Sequence, residues 1–208
     1  DGLKKADGYP TEGGMRRYFE ETYGGPDSKA FKAAQQNFMQ SLAAYSLVSY
    51  LLGLKDRHNG NIMIDTKGRL IFIDFGFAMG MAPGHEFSME RAPFKFTSEY
   101  VDVMGGEGSA CYKEFQRLFV EGFKQARANS QIALGLVEIM MYKSNYPCFS
   151  GWRYGGGIAL RKFEERLMLN VPDNQVEKRA LALISTANNH RGTNLYDSFQ
   201  QWSNGYAK

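Results

Sequence analysis

Between Lys55 and Gly76 the chain reads KDRHNGNIMIDTKGRLIFIDFG, two short apolar runs hemmed by polar residues. Asp56 and Asn61 stand five residues apart, and a further acid, Asp74, follows inside Asp74-Phe75-Gly76. These types at this spacing suit phosphoryl transfer: a loop Asp to handle a proton, an Asn and a second Asp to hold Mg²⁺ (or Mn²⁺) on the phosphates of ATP. The transferred group carries its charge on outer oxygens, so positioning and a divalent ion supply most of the catalysis. Asp74 offers the hard anionic oxygen that Mg²⁺ prefers, and Asn61 adds a neutral one. The bland reading makes Asn61, Asp65 and Asp74 ordinary turn residues flanking a hairpin. A lone D-F-G would not displace it, but D-R-H-x-x-N at the matching distance does.

Elements must hold these groups in place. Residues 1–14 are rich in Gly and charge and read as a flexible loop. GMRRYFEETYGGP is expected to form a short helix stopped by Gly24, Gly25 and Pro26. Asp27 or Ser28 can cap a long helix in which Phe31, Phe38, Leu42, Tyr45 and Leu52 recur at helical spacing, ending at Gly53. NIMID and RLIFID, parted by TKG, read as a β-hairpin that measures the distance between the metal ligands. After it, Thr97 is expected to cap SEYVDVM. CYKEFQRLFVEGFKQAR, IALGLVEIMMY, GGGIALRKFEERLML, a helix starting near Pro172 and Asp173, and a terminal segment of about 193–206 continue the helical pattern. The fold class is thus α+β, mostly helical with one small hairpin.

Composition narrows the field. The 208 residues are 43% hydrophobic, enough for a real core, and 25 Lys+Arg against 22 Asp+Glu leave a net charge of +3, too little to argue for nucleic acid. Cys111 and Cys148 show neither disulfide-framework nor zinc spacing, which favours a reducing, cytoplasmic compartment. No apolar run of about 18 residues suggests a membrane span.

The order Asp56-Arg57-His58 inverts the H-R-D of ordinary protein kinases. With KDRHNGNIM, IDFGF, YFEETYG, NFMQSLAAYSLVSYLLGL, APFKFTSEYVDVMGG, PCF and LYDSFQQWSNG it resembles the phosphatidylinositol 3-/4-kinase superfamily, most closely its type III alpha phosphatidylinositol 4-kinases. Lys55 before the Asp is the form expected of the 4-kinases. The resemblance implies a protein-kinase-like C-terminal lobe over 15–208, with catalytic loop 55–61, D-F-G at 74–76 and activation loop 77–96. It implies ATP and Mg²⁺ as cofactors, Asn61 and Asp74 as metal ligands, and Asp56 with His58 at the proton of an inositol hydroxyl. The choice between Asp56 and His58 as base stays open; an imidazole suits neutral pH, and the Asp could instead orient it. Arg57 is expected to brace the loop, and Lys55 either meets the transferred phosphate or faces solvent.

The activation loop sets Arg91 and Lys95 against Glu86 and Glu90, a sum of zero. A headgroup bearing extra phosphates would call for several cations, so the loop favours unphosphorylated phosphatidylinositol. Leu195, Phe199, Trp202 and Tyr206 recur on one helical face, which suits a membrane interface or plain core packing. Trp152 and Tyr154 read as a buried anchor. Neither a phosphate-covering G-x-G-x-x-G nor a V-A-I-K strand occurs. The N-lobe is therefore expected to lie elsewhere in a longer protein, with accessory subunits recruiting it to a cytoplasmic membrane face, and this piece alone is expected to turn over little. The rivals are a related protein Ser/Thr kinase and a non-catalytic scaffolding lobe.

Overall fold

The computed structural model describes residues 14–82, 92–150 and 155–188. Helix α1 (Gly14–Tyr23) leads through a turn into α2 (Lys29–Leu52), the 24-residue helix on which the rest is built. A 3₁₀ turn (Asn59–Asn61) and the strands β1 (Ile62–Ile64) and β2 (Leu70–Phe72) follow, and then α3 (Ser98–Met104) and α4 (Ala110–Ala128). The described elements close with α5 (Ser130–Met141), α6 (Gly156–Leu167) and α7 (Asp173–Asn188).

Local chemistry accounts for most boundaries. Ser28 Oγ accepts from the Phe31 amide and starts α2, while Gly53 ends it in the left-handed conformation at φ 56°. Ser109 caps α4 in the same way through the Tyr112 amide. Thr97 corrects an expectation. It occupies the N-cap of α3, but its hydroxyl makes no cap bond and is buried without a partner. The first turn is closed instead by main-chain bonds from Tyr100 and Val101 to the Thr97 carbonyl.

The main core lies where α2 packs on α4, with α1, α3 and α7 around it. It is aromatic: Phe38 meets Phe19 and Tyr100 edge-on, and Phe96 stacks on Phe115 at 5.1 Å. Truncating one such buried ring to Ala costs about 3–5 kcal/mol, so this cluster gives α2 a rigid seat. A smaller cluster of Met79, Val137, Phe149, Ala159, Phe163 and Leu167 joins α5 and α6 to the chain that follows Gly76.

One stripe of α2 carries the hairpin. Residues 34, 37, 41 and 45 recur at helical spacing. Gly68, at φ 82°, lies so close to α2 that a Cβ there would stand 2.9 Å from the Ala34 carbonyl oxygen. Asn37 Nδ2 donates to the Lys67 carbonyl, Ser41 Oγ accepts from the Leu70 amide, and the Tyr45 ring stacks on Phe72 at 4.4 Å. The antiparallel pairs Ile62–Phe72, Met63–Ile71 and Ile64–Leu70 set the register. Leu70 and Phe72 are thereby buried, and Met63 and Ile71 point outward.

Candidate active site

The loop between α2 and β1 is fixed by Arg57. This side chain is only 1% exposed, and its guanidinium donates to the carbonyls of Lys55, Ile73 and Asp74. Its carbon also lies 5.6 Å from the Phe75 ring centre. A planar fork with five donors can satisfy three carbonyls at once, which an ammonium cannot do in the same geometry. Arg57 therefore ties the residues flanking Asp56 directly to the backbone of Asp74, the bracing expected of it.

Asn61 is buried and its Nδ2 donates to the Asp56 carbonyl at 2.8 Å. That bond fixes the amide orientation and leaves Oδ1 as the acceptor face. Across the hairpin the Ile73 amide donates to the Asn61 carbonyl at 3.1 Å. The residue after Ile73 is Asp74, so Asn61 and Asp74 occupy adjacent rungs of one small sheet end. Asp74 is exposed, with Oδ1 accepting from the Gly76 amide at 3.2 Å. Asp65 differs from both: its carboxylate accepts from the Lys67 and Arg69 amides and pairs with Arg69 Nε. The Arg69 amide, with these further contacts, holds its carboxyl below the usual range. Asp65 and Asp74 both accept from an amide two residues on, and Asp65 is in addition held by Arg69.

His58 is 6% exposed and its Nδ1 accepts from the Gly60 amide at 3.1 Å. In the neutral ring the proton then sits on Nε2, which lies 3.9 Å from Asp56 Oδ1. Asp56 itself adopts φ 65°, Asp74 φ 59° and Met79 φ 56°. Non-glycine residues hold left-handed backbone only where surrounding structure imposes it, at about 1–3 kcal/mol each, and such residues concentrate at functional sites.

The remaining sequence candidates fall as follows. Lys55 Nζ donates to the Ala92 carbonyl at 2.9 Å, which gives this side chain a third placement besides phosphate or open solvent. Lys95 is buried at 4% exposure between Phe94 and Phe96, away from bulk water. Arg91, Glu86, Glu90, Trp152, Tyr154, Leu195, Phe199, Trp202 and Tyr206 lie outside the described residues.

Sequence reasoning missed an apolar surface beside the polar set. Met63, Ile71 and Ile73 are 49%, 36% and 39% exposed. The signal was present in NIMID and RLIFID, which are apolar at successive positions and so on both faces; a half-exposed hairpin would alternate. An apolar patch next to these polar groups can take an aromatic ring.

The donor set also bears on the metal. Among the described residues no three His, Cys, Asp or Glu side chains gather as a metal cage. Asn61 and Asp74 supply two oxygens, which fits an ion that keeps waters and completes its shell with substrate phosphates, the habit of Mg²⁺.

Comparison with known proteins agrees with this chemistry. The family described as phosphatidylinositol 3- and 4-kinase matches residues 4–150. A phosphatidylinositol 4-kinase of Dictyostelium discoideum is 42% identical over 202 residues, covering 97% of this chain and 16% of the relative. Phosphatidylinositol 4-kinase PIK1alpha of Candida albicans is 42% identical over 90% of this chain and 19% of its own length. Phosphatidylinositol 4-kinase stt4 of Schizosaccharomyces pombe is 42% identical over 92% and 10%. The chain thus spans a fifth or less of each of these relatives. Among its described residues no helix is long and apolar enough to cross a membrane.

Proposed function

Because the chain belongs to the phosphatidylinositol 3- and 4-kinase family, we propose that its protein transfers the γ-phosphoryl group of ATP to the 4-hydroxyl of phosphatidylinositol, giving phosphatidylinositol 4-phosphate at a cytoplasmic membrane face. The observation that carries this reading is the Arg57 clasp, which binds the catalytic-loop backbone and the Asp74 carbonyl into one rigid piece. Such rigidity is what a reaction catalysed by positioning requires. The names of the relatives, all 4-kinases, support the 4-hydroxyl over the 3-hydroxyl. With Lys95 buried, Arg91 against Glu86 and Glu90 leaves residues 77–96 without a surplus of cations, which supports an acceptor without extra phosphates.

In this reading Asn61 Oδ1 and the Asp74 carboxylate would hold Mg²⁺, which would neutralise charge on the ATP phosphates. Met63, Ile71 and Ile73 form the floor under adenine. Asp56 accepts the proton of the inositol hydroxyl as its oxygen attacks the γ-phosphorus; the bond to the β-phosphate oxygen breaks, and ADP leaves. The Gly60 bond to His58 Nδ1 favours this division of labour. It places a proton, not a lone pair, on the Nε2 that neighbours Asp56, so the neutral ring donates to the reacting oxygens or to Asp56. An N-lobe elsewhere in the protein would cover the phosphates. A lipid kinase also needs a membrane surface and the subunits that recruit it.

The test is transfer of labelled phosphate by the full-length protein to phosphatidylinositol vesicles and, in parallel, to protein acceptors. Label in phosphatidylinositol 4-phosphate is expected. Label only in protein, or only in the 3-phosphate, overturns the reading.

A further inference from the structure

The four carbonyls at the end of a helix lack helical partners. At the end of α2 each has found one. The Ser49 and Tyr50 carbonyls accept from the Leu54 and Gly53 amides, the usual glycine stop. The other two are met from outside the helix. Leu51 accepts from Arg166 Nη1 of α6 at 3.3 Å, and Leu52 accepts from the Met79 amide at 2.6 Å. The last turn of α2 contains no basic residue. Arg166 brings a cation to this negative helix end from a distant part of the chain.

The same spot joins two strands of the site. The Lys55 amide donates to Phe77, Met79 to Leu52 and Gly80 to Gly53, so that 77–80, the chain leaving Asp74, lies zipped along 52–55, the chain entering Asp56. The Arg166 guanidinium presses on both sides of the zipper. A Cβ on Gly53 would collide with Nη2, and a Cβ on Gly80 would stand 2.8 Å from it. Both glycines also hold positive φ, 56° and 84°. Space and backbone conformation thus coincide with the passage of the Arg166 side chain, with Lys162 of the same helix beside it at Gly80. Burial lowers the arginine's pKa from its ordinary value, but Tyr50 and Glu165 oppose that shift and an arginine stays charged.

We infer that Arg166 is a positioning residue for the lipid-side half of the site, pinning Met79 and Gly80, at the root of the activation loop, onto the end of α2. The inference rests on the lipid-kinase reading above for its kinetic consequence, though not for its structural one. Neither α6 nor Arg166 belongs to any stretch whose residue types alone point to the reaction.

The test uses the full-length protein and the variants Arg166→Met and Arg166→Lys. In Arg166→Met the Met79 and Gly80 amides should exchange with solvent about tenfold faster or more, while amides within α2 and α4 keep their protection. The KM for phosphatidylinositol vesicles should rise about fivefold with the KM for ATP little changed, and Arg166→Lys should recover part of the loss. Unchanged exchange at Met79 and Gly80 overturns the inference. So does loss of protection throughout the core, which would mark Arg166 as merely structural, or a parallel rise in both KM values. Should the wild type fail to phosphorylate phosphatidylinositol, the lipid-kinase reading falls, and the exchange measurement still decides the role of Arg166.

Discussion

Replacing Arg57 by Met keeps the length of the side chain and removes the fork that the carbonyls of Lys55, Ile73 and Asp74 share. A hydrogen bond to a charged group contributes about 1.5–3 kcal/mol, so three of them could reach about 5–9 kcal/mol if independent. They are not independent, and Asp74 is exposed, so water can enter on that side. About 3–5 kcal/mol is the resulting expectation, since each carbonyl left without a donor costs about 1–3 kcal/mol where water does not replace it. The loss should be local, because α2 and its aromatic core do not depend on Arg57. The assay is native-state hydrogen exchange at the Ile73 amide, which is bonded to the Asn61 carbonyl. At tenfold per 1.4 kcal/mol, about 4 kcal/mol corresponds to exchange about 10³-fold faster where local opening governs it. Turnover should fall about 10²-fold, since an ångström of misplacement between Asp56 and Asp74 costs that much. Arg57→Lys should behave more like Met than like Arg, as one ammonium cannot reach three carbonyls in a plane. Exchange at Ile73 within threefold of wild type, with turnover equally unaffected, would refute the clasp.

The division of labour between Asp56 and His58 predicts unequal losses. Asp56→Asn should lower kcat about 10³-fold, whereas His58→Gln should lose about tenfold; a greater loss at His58 than at Asp56 would make the imidazole the base. Cys111 gives a pH readout. Burial, the largest cause, pushes its thiol up to about 11, with Glu114 adding to the shift and Arg16 opposing it. Only the thiolate is nucleophilic, so at pH 8 about one molecule in 10³ is reactive, and alkylation of Cys111 should accelerate about tenfold per pH unit until near 11. A rate that levels off by pH 9 would refute it.

Much of this arrangement is written locally. Ser28 and Gly53 bound the long helix because a cap and a left-handed stop act through neighbouring residues. The hairpin register follows from Leu70 and Phe72, whose apolar side must face α2. What escaped the sequence depends on residues far apart in it. Thr97 sits at a cap position but its hydroxyl is turned into the packed interior, which propensity alone does not foresee. Lys95 counts as a cation in a loop until the fold is seen to bury it. Lys55 finds the Ala92 carbonyl, and Arg166 the end of α2, only because the chain folds back. The outward face of the hairpin could have been suspected from its lack of alternation.

Helix α2 grips the hairpin through one stripe and releases the loop that carries Asp56 and His58 at its end, so its length is a setting as much as a support. One residue added between Tyr45 and Leu52 would advance the end by about 1.5 Å and rotate it by about 100°. The loop would then leave on another bearing while the hairpin stayed put. Insertions in this protein should therefore be tolerated in surface turns, and single-residue ones should be selected against between the stripe and Gly53.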